Sequence, residues 1–321
     1  MGTKNKQYMV CLDSFNNNNN IENKAIFERD KIWKRGEKNE ITITFGNYPC
    51  DECSVNAGWS LIGKEANNEP YPSMNLGFVD PPFEDFEWEG ILYLKSGFEY
   101  GLRNRCSKNI NSINGCETGW VPGFSVVHEF GHALGMKHEH QNNLNNSNKL
   151  DINTEYIITY MEANLGWDRE TTIKNIIEWY SDPNYYNGSD FDPKSIMFYN
   201  FPKSWLNSGE GISSNFVLSD KDKEWLEKMY PKDNQIEITV YFVDSDSPSW
   251  KKAWIKKVVT EQISPHVGIK FNFSKELKPL APGETYPPPT MEPLTPLSTT
   301  SIFVIMLISF ILFTILVYYV R

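Results

Sequence analysis

Four of the chain's five histidines stand between Val127 and His140, in the run Val-His-Glu-Phe-Gly-His-Ala-Leu-Gly-Met-Lys-His-Glu-His. On a helix, His128 and His132 fall at i and i+4, on one face and about 5–6 Å apart, close enough to share one metal ion. Glu129 sits beside that face and can reach a water on the ion without ligating it, the position of a general base. Gly135 can take the left-handed conformation that ends a helix. The chain can then turn and bring His138 back as a third nitrogen donor, which leaves a fourth tetrahedral position for water or substrate. The chemistry this spacing allows is hydrolysis by a metal-activated water. The competing reading is a helix with incidental histidines.

The complete pattern His-Glu-x-x-His-x-x-Gly-x-x-His sets five positions over eleven residues, and it resembles the long zinc-binding consensus of the metzincin metalloproteases. A second segment, Phe191-Asp-Pro-Lys-Ser-Ile-Met-Phe-Tyr199, narrows the resemblance. Metzincins carry a methionine turn beneath the metal, and the astacin family places a tyrosine two residues after that methionine. Met197 and Tyr199 match both, and Glu139 directly after the third histidine is a further astacin-like feature. Phe198 departs from the family, which usually has histidine there.

The resemblance implies an α+β, zincin-like fold: a mixed twisted sheet, an active-site helix and a mostly helical lower subdomain. It implies one catalytic Zn2+ on His128, His132 and His138, with a polypeptide as substrate. Glu129 would be the general base, Tyr199 would stabilise the oxyanion and Met197 would support the floor of the site. In secreted astacins the glutamate equivalent to Glu139 meets a newly cleaved amino terminus. No signal or pro-region is evident here, so Glu139 is expected to find another partner. An edge strand in such proteases pairs with extended substrate, and Met74, Asn75, Leu76, Gly77 and Phe78 are the candidate stretch; an ordinary sheet edge is the alternative. A zincin-fold peptide binder without activity and a structural membrane protein without zinc are the rival functions.

Composition bounds the rest. A hydrophobic content of 40% in 321 residues supports a sizeable core, and a formal net charge of -10 argues against nucleic acid as a partner. The five cysteines, Cys11, Cys50, Cys53, Cys106 and Cys116, fit either local bridges or reduced thiols. A second zinc site is disfavoured, because the C-x-x-C at 50–53 is not repeated.

Residues 1–22 include an asparagine tract and read as a disordered tail, ahead of a metalloprotease domain over 23–276. Alternation of Ile41-Thr-Ile-Thr-Phe45 predicts a half-buried strand. Pro122 suits the first turn of the histidine helix. Helical periodicity covers 154–164 and 170–180, and Ser219 caps a helix running to Met229. Residues 236–273 read as strand, helix, strand. In the resembling family such a unit precedes the strand equivalent to 41–45, so its late position suggests a circular permutation that docks it on the sheet; an independent accessory unit is the alternative.

A proline-rich spacer follows over 277–301. Residues 302–320 carry no charge, and about 28 Å of helix there would match a hydrocarbon core of about 30 Å. With no signal peptide visible, the expectation is a single-pass, carboxyl-terminal membrane anchor with the catalytic domain on the cytosolic side.

Overall fold

A computed structural model describes residues 27–28, 31–45, 58–67, 72–77, 79, 82, 84–94, 122–144, 148–181, 186–188, 190–243 and 248–274. These belong to one compact unit. The strands are β1 (Phe27–Glu28), β2 (Glu40–Thr44), β3 (Gly58–Ser60), β4 (Met74–Leu76), β5 (Phe86–Trp88), β6 (Ile91–Tyr93), β7 (Tyr186–Asn187), β8 (Ile236–Phe242) and β9 (Ile269–Phe273). The α-helices are α1 (Phe124–Ala133), α2 (Thr154–Leu165), α3 (Arg169–Thr172), α4 (Asp220–Met229) and α5 (Ser249–Val258).

The main sheet is mixed, in the order β3-β4-β2-β8-β9. β2 pairs in parallel with both β4 and β8, β8 pairs in parallel with β9, and β3 runs antiparallel to β4. The strand-helix-strand unit of β8, α5 and β9 is therefore part of the same sheet as β2. Lying in the middle, β2 buries both faces: Ile41, Thr42, Ile43 and Thr44 are all buried, in contrast to the half-buried strand that alternation predicts. Threonine is tolerated there because its polar groups are paired. Thr42 donates its N–H to Ser73 Oγ at 2.9 Å, and its Oγ1 accepts the Ser73 N–H at 2.9 Å. The hairpin of β5 and β6 turns through Glu89 and Gly90, both at positive φ, as a two-residue primed turn requires.

Two apolar clusters flank the histidine helix. One joins the sheet to α1 and α5 through Ile41, Ile43, Val127, Phe130, Val240 and Ile255. The other gathers Ile157, Met161, Ile176, Phe198, Phe201 and Trp205 beneath the site. α2 begins on an Asn153 cap, and α3 continues as a π-helical turn at Ile173–Ile177, so helical structure stops short of the 180 boundary. Pro122 precedes α1 rather than entering it, because Gly123 at φ 84° takes the cap position.

Expectations about the substrate strand and the membrane anchor change as well. The stretch Met74–Leu76 is β4, an interior strand held between β2 and β3, so it has no open edge for a substrate; among the described residues the edges of this sheet are β3, on the side of β4, and β9. Gly77 lies just past β4, and Phe78 lies outside the described residues. The carboxyl-terminal membrane anchor and the cytosolic-side placement that depended on it are withdrawn. Among the described residues no helix is long and apolar enough to cross a membrane. α2 has 12 residues, against the ~20 that a span requires, and the helical run 249–266 is interrupted by Lys251, Lys252, Lys256, Lys257 and Glu261. Residues 302–320 themselves lie outside the described residues, as do the 1–22 tail, the 277–301 spacer and all five cysteines.

The carboxyl end of α1 is held by two side chains far away in sequence. Trp33 Nε1 donates to Ala133 O at 2.6 Å, and the Tyr230 hydroxyl donates to Leu134 O at 2.7 Å, both buried. These satisfy carbonyls that a helix end leaves without intrahelical partners. Burial pushes the Tyr230 phenol up, so it remains a donor at physiological pH. Tyr230→Phe is expected to cost about 1–2 kcal/mol, read by urea denaturation, since a buried carbonyl loses its partner. An unchanged denaturation midpoint would show that the carbonyl is satisfied in another way.

Candidate metal centre

The three histidines converge as a consequence of how α1 ends. Gly135 at φ 95° follows the last helical residues, the Gly135 N–H donates to His132 O at 2.7 Å, and the Met136 N–H donates to Gly131 O at 2.9 Å. This is the Schellman arrangement. It reverses the chain so that His138 faces the helix it has just left.

The His128 and His132 ring centroids lie 5.0 Å apart, with His138 at 4.7 Å from His132 and 5.7 Å from His128. One ligand atom from each of the three falls within 4.8 Å of the others, and all three residues are buried. His128 Nδ1 meets Ile196 O at 2.9 Å, and His132 Nδ1 meets Met136 O at 2.7 Å. A carbonyl can only accept, so both rings carry the proton on Nδ1 and turn an Nε2 lone pair inward, the usual outer support of a metal-bound imidazole. Burial, followed by the neighbouring His132, His140 and His128 rings, pushes His138 well down from the ordinary histidine range and keeps it neutral. The group could hold a metal ion.

Glu129 is completely buried on α1, with its carboxylate against the Cα of Gly58 in β3. The Tyr199 ring stands 4.2 Å from that of His138 and is half-buried. Met197 is buried, and its sulfur lies where a side chain on Gly131 would project, so the glycine in the middle of α1 leaves room for the methionine. Glu139 has the partners that the sequence left open. Its Oε1 accepts from Asn142 Nδ2 and from the Asp192 N–H, each at 2.7 Å. Burial outweighs those two bonds and holds its carboxyl well above the usual range. The Met74–Gly77 stretch is not part of this constellation; Asn75 is buried and its Oδ1 accepts the Gly77 N–H at 2.8 Å.

Two participants escape sequence reasoning. Asp222, three residues after the Ser219 cap, closes a capping box with it. It also accepts from Ser195 Oγ at 2.7 Å and from the Ile196 N–H at 2.9 Å. Ile196 is the residue whose carbonyl orients His128, so Asp222 acts on a ligand through the turn. His140, the fourth histidine of the run, meets Asn175 O through Nε2 at 3.1 Å and stacks on Tyr199 at 4.6 Å. The sequence signal for Asp222 was the Ser-x-x-Asp box; nothing local marked its second task.

Asp222→Asn is expected to weaken metal binding by about 10–100-fold in a chelator competition, the usual effect of losing outer support. Its pH signature has a definite sign. Burial raises the Asp222 carboxyl in the folded state in spite of its hydrogen bonds. The stability it contributes is therefore present below the unfolded value of about 3.9 and is lost as pH rises through the raised folded value. The wild type should lose unfolding free energy relative to Asp222→Asn as pH rises from about 4 through the raised folded value. A gap that widens in favour of the wild type over that range would contradict the assignment.

No protein-family model matches the chain, and no curated protein matches it. Two solved structures of myroilysin are similar to it. One has 21% identity and a TM-score of 0.42, covering 64% of this chain and 98% of that one. The other has 19% identity and a TM-score of 0.36, covering 70% and 92%. Likeness at this level carries no weight for function, and the centre rests on its own geometry.

Proposed function

We propose that the chain is a zinc-dependent metalloendopeptidase of astacin-like, metzincin type. The observation that carries this reading is the convergence of three buried imidazoles with a buried glutamate one residue after the first of them. The donor set suits zinc, which favours imidazole nitrogen and tetrahedral geometry. His132 Nε2 and His138 Nε2 lie 3.1 Å apart, near the roughly 3.3 Å that two nitrogens on a tetrahedral ion with bonds of about 2.0–2.1 Å would have. Held by His128, His132 and His138, zinc would supply Lewis-acid polarisation of a carbonyl and a more acidic water.

The chain's own residues do the remaining work. Glu129 accepts a proton from the attacking water and returns it to the leaving nitrogen. Its burial excludes competing solvent and strengthens its interaction with charge in the site. Tyr199 stacks on His140 and packs at a tilt against His138, and its phenol would donate to the oxyanion of the tetrahedral intermediate. An extended polypeptide would pair with β3, the sheet edge next to α1, in place of the Met74–Phe78 stretch. The same reading includes a permuted sheet: β8, α5 and β9 follow the catalytic helix in sequence and extend the sheet from β2.

The test is metal analysis together with cleavage of an unfolded protein. Wild type should hold one zinc per chain and cleave. Glu129→Ala should keep the zinc and lose about 10²–10⁴ in rate, whereas His132→Ala should lose both. Equal cleavage by wild type and Glu129→Ala would refute the mechanism.

A further inference from the structure

We propose that Gly58 is a positioning residue for Glu129: the missing side chain in β3 is the space in which the proton-transferring carboxylate is seated. The inference rests on the endopeptidase reading above and extends it to a residue outside the metal-binding motif.

Glycine is a poor choice inside a strand, where it adds no packing and carries an entropic cost. Gly58 is buried and pairs with Leu76 of β4, and it is not among the positive-φ residues, so its backbone does not call for glycine. Space does. A methyl group built on Gly58 would stand 3.0 Å from Glu129 Cδ and 3.1 Å from Cγ, and would overlap Oε1. All the atoms it would meet first belong to that one side chain. Glu129 has no solvent-exposed surface into which it could swing. Relief must therefore come from the carboxylate shifting within its own site, and displacements of about 1 Å at a reacting group can cost about 10²-fold in rate. β3 is also the edge strand to which substrate is assigned, so one strand would align the peptide and seat the group that cleaves it.

The experiment uses four full-length chains: wild type, Gly58→Ala, Glu129→Ala and the double variant. Zinc content, melting temperature and steady-state cleavage of an unfolded protein substrate are measured for each. Gly58→Ala should retain zinc, lose about 100-fold in kcat and change KM by less than about threefold, because the base moves while the ligands do not. It should lower the melting temperature in the wild-type background and leave it nearly unchanged in the Glu129→Ala background, where the obstructing carboxylate is gone. If Gly58→Ala does not fold but the double variant does, the contact is upheld. Wild-type kcat in Gly58→Ala would overturn the proposal, as would equal loss of melting temperature in both backgrounds or failure of both variants to fold. If the wild type cleaves nothing, the endopeptidase reading fails, and the melting cycle alone decides whether Gly58 seats Glu129.

Discussion

The backbone of Ile196 and Met197 is held at every polar group, and the candidate metal centre depends on it. The Ile196 N–H goes to Asp222 and its carbonyl to His128. The Met197 N–H goes to Ser195 Oγ and its carbonyl accepts the Glu139 N–H. Two peptide units thus touch a ligand on α1, the residue after the third ligand, and the cap of α4. A ring nitrogen cannot be aimed more accurately than the carbonyl that orients it, so the precision of the site is the rigidity of this turn. Its surroundings supply that rigidity, because buried hydrogen bonds in low dielectric are costly to break.

What could be read from the sequence follows from how local each signal is. The ligand set was legible because helix period places His128 over His132, and because a glycine that ends a helix has only a few ways to redirect the next residues. Strand and helix boundaries at Ile236, Thr154 and Met229 follow from periodicity and caps in the same way. The misjudged features were non-local. Whether Met74–Leu76 lies at an edge depends on what pairs with its far side, and Gly58–Ser60 is too short to announce itself as a strand. The half-buried reading of Ile41–Phe45 assumed one open face, but β2 lies between β4 and β8, and Thr42 is paired with Ser73 from the chain that leads into β4. Glu139 was expected to find another partner, which the sequence could not name; the Asn142 amide and the Asp192 peptide N–H, the latter more than fifty residues away, supply it.

Placing the histidines between two apolar clusters explains how polar side chains can be buried so deeply. The cluster under the sheet fixes α1 along Val127 and Phe130, and the lower cluster fixes the turn through Phe198 and Phe201. Each histidine then leaves a packed element at a defined point, and only the imidazole itself must find polar partners. Glycine has matched uses on the two sides of the site. Gly131 yields space to the Met197 sulfur below, and Gly58 yields space to the Glu129 carboxylate above.

The parallel pairing of β2 with β8 also sets an order of events for a chain emerging from the ribosome. Thr42 finds its partner in Tyr241, about 200 residues later, which at roughly 5–20 residues per second is a delay of roughly 10–40 s. Over that interval α1 and the lower helices can form, while Ile41 and Ile43 have only one side of their sheet. The nascent chain therefore carries a hydrophobic strand with one open edge for most of its synthesis, a state that invites chaperone binding. The sheet beside the candidate metal centre is complete only after β8 has filled that edge, when most of the domain has been made.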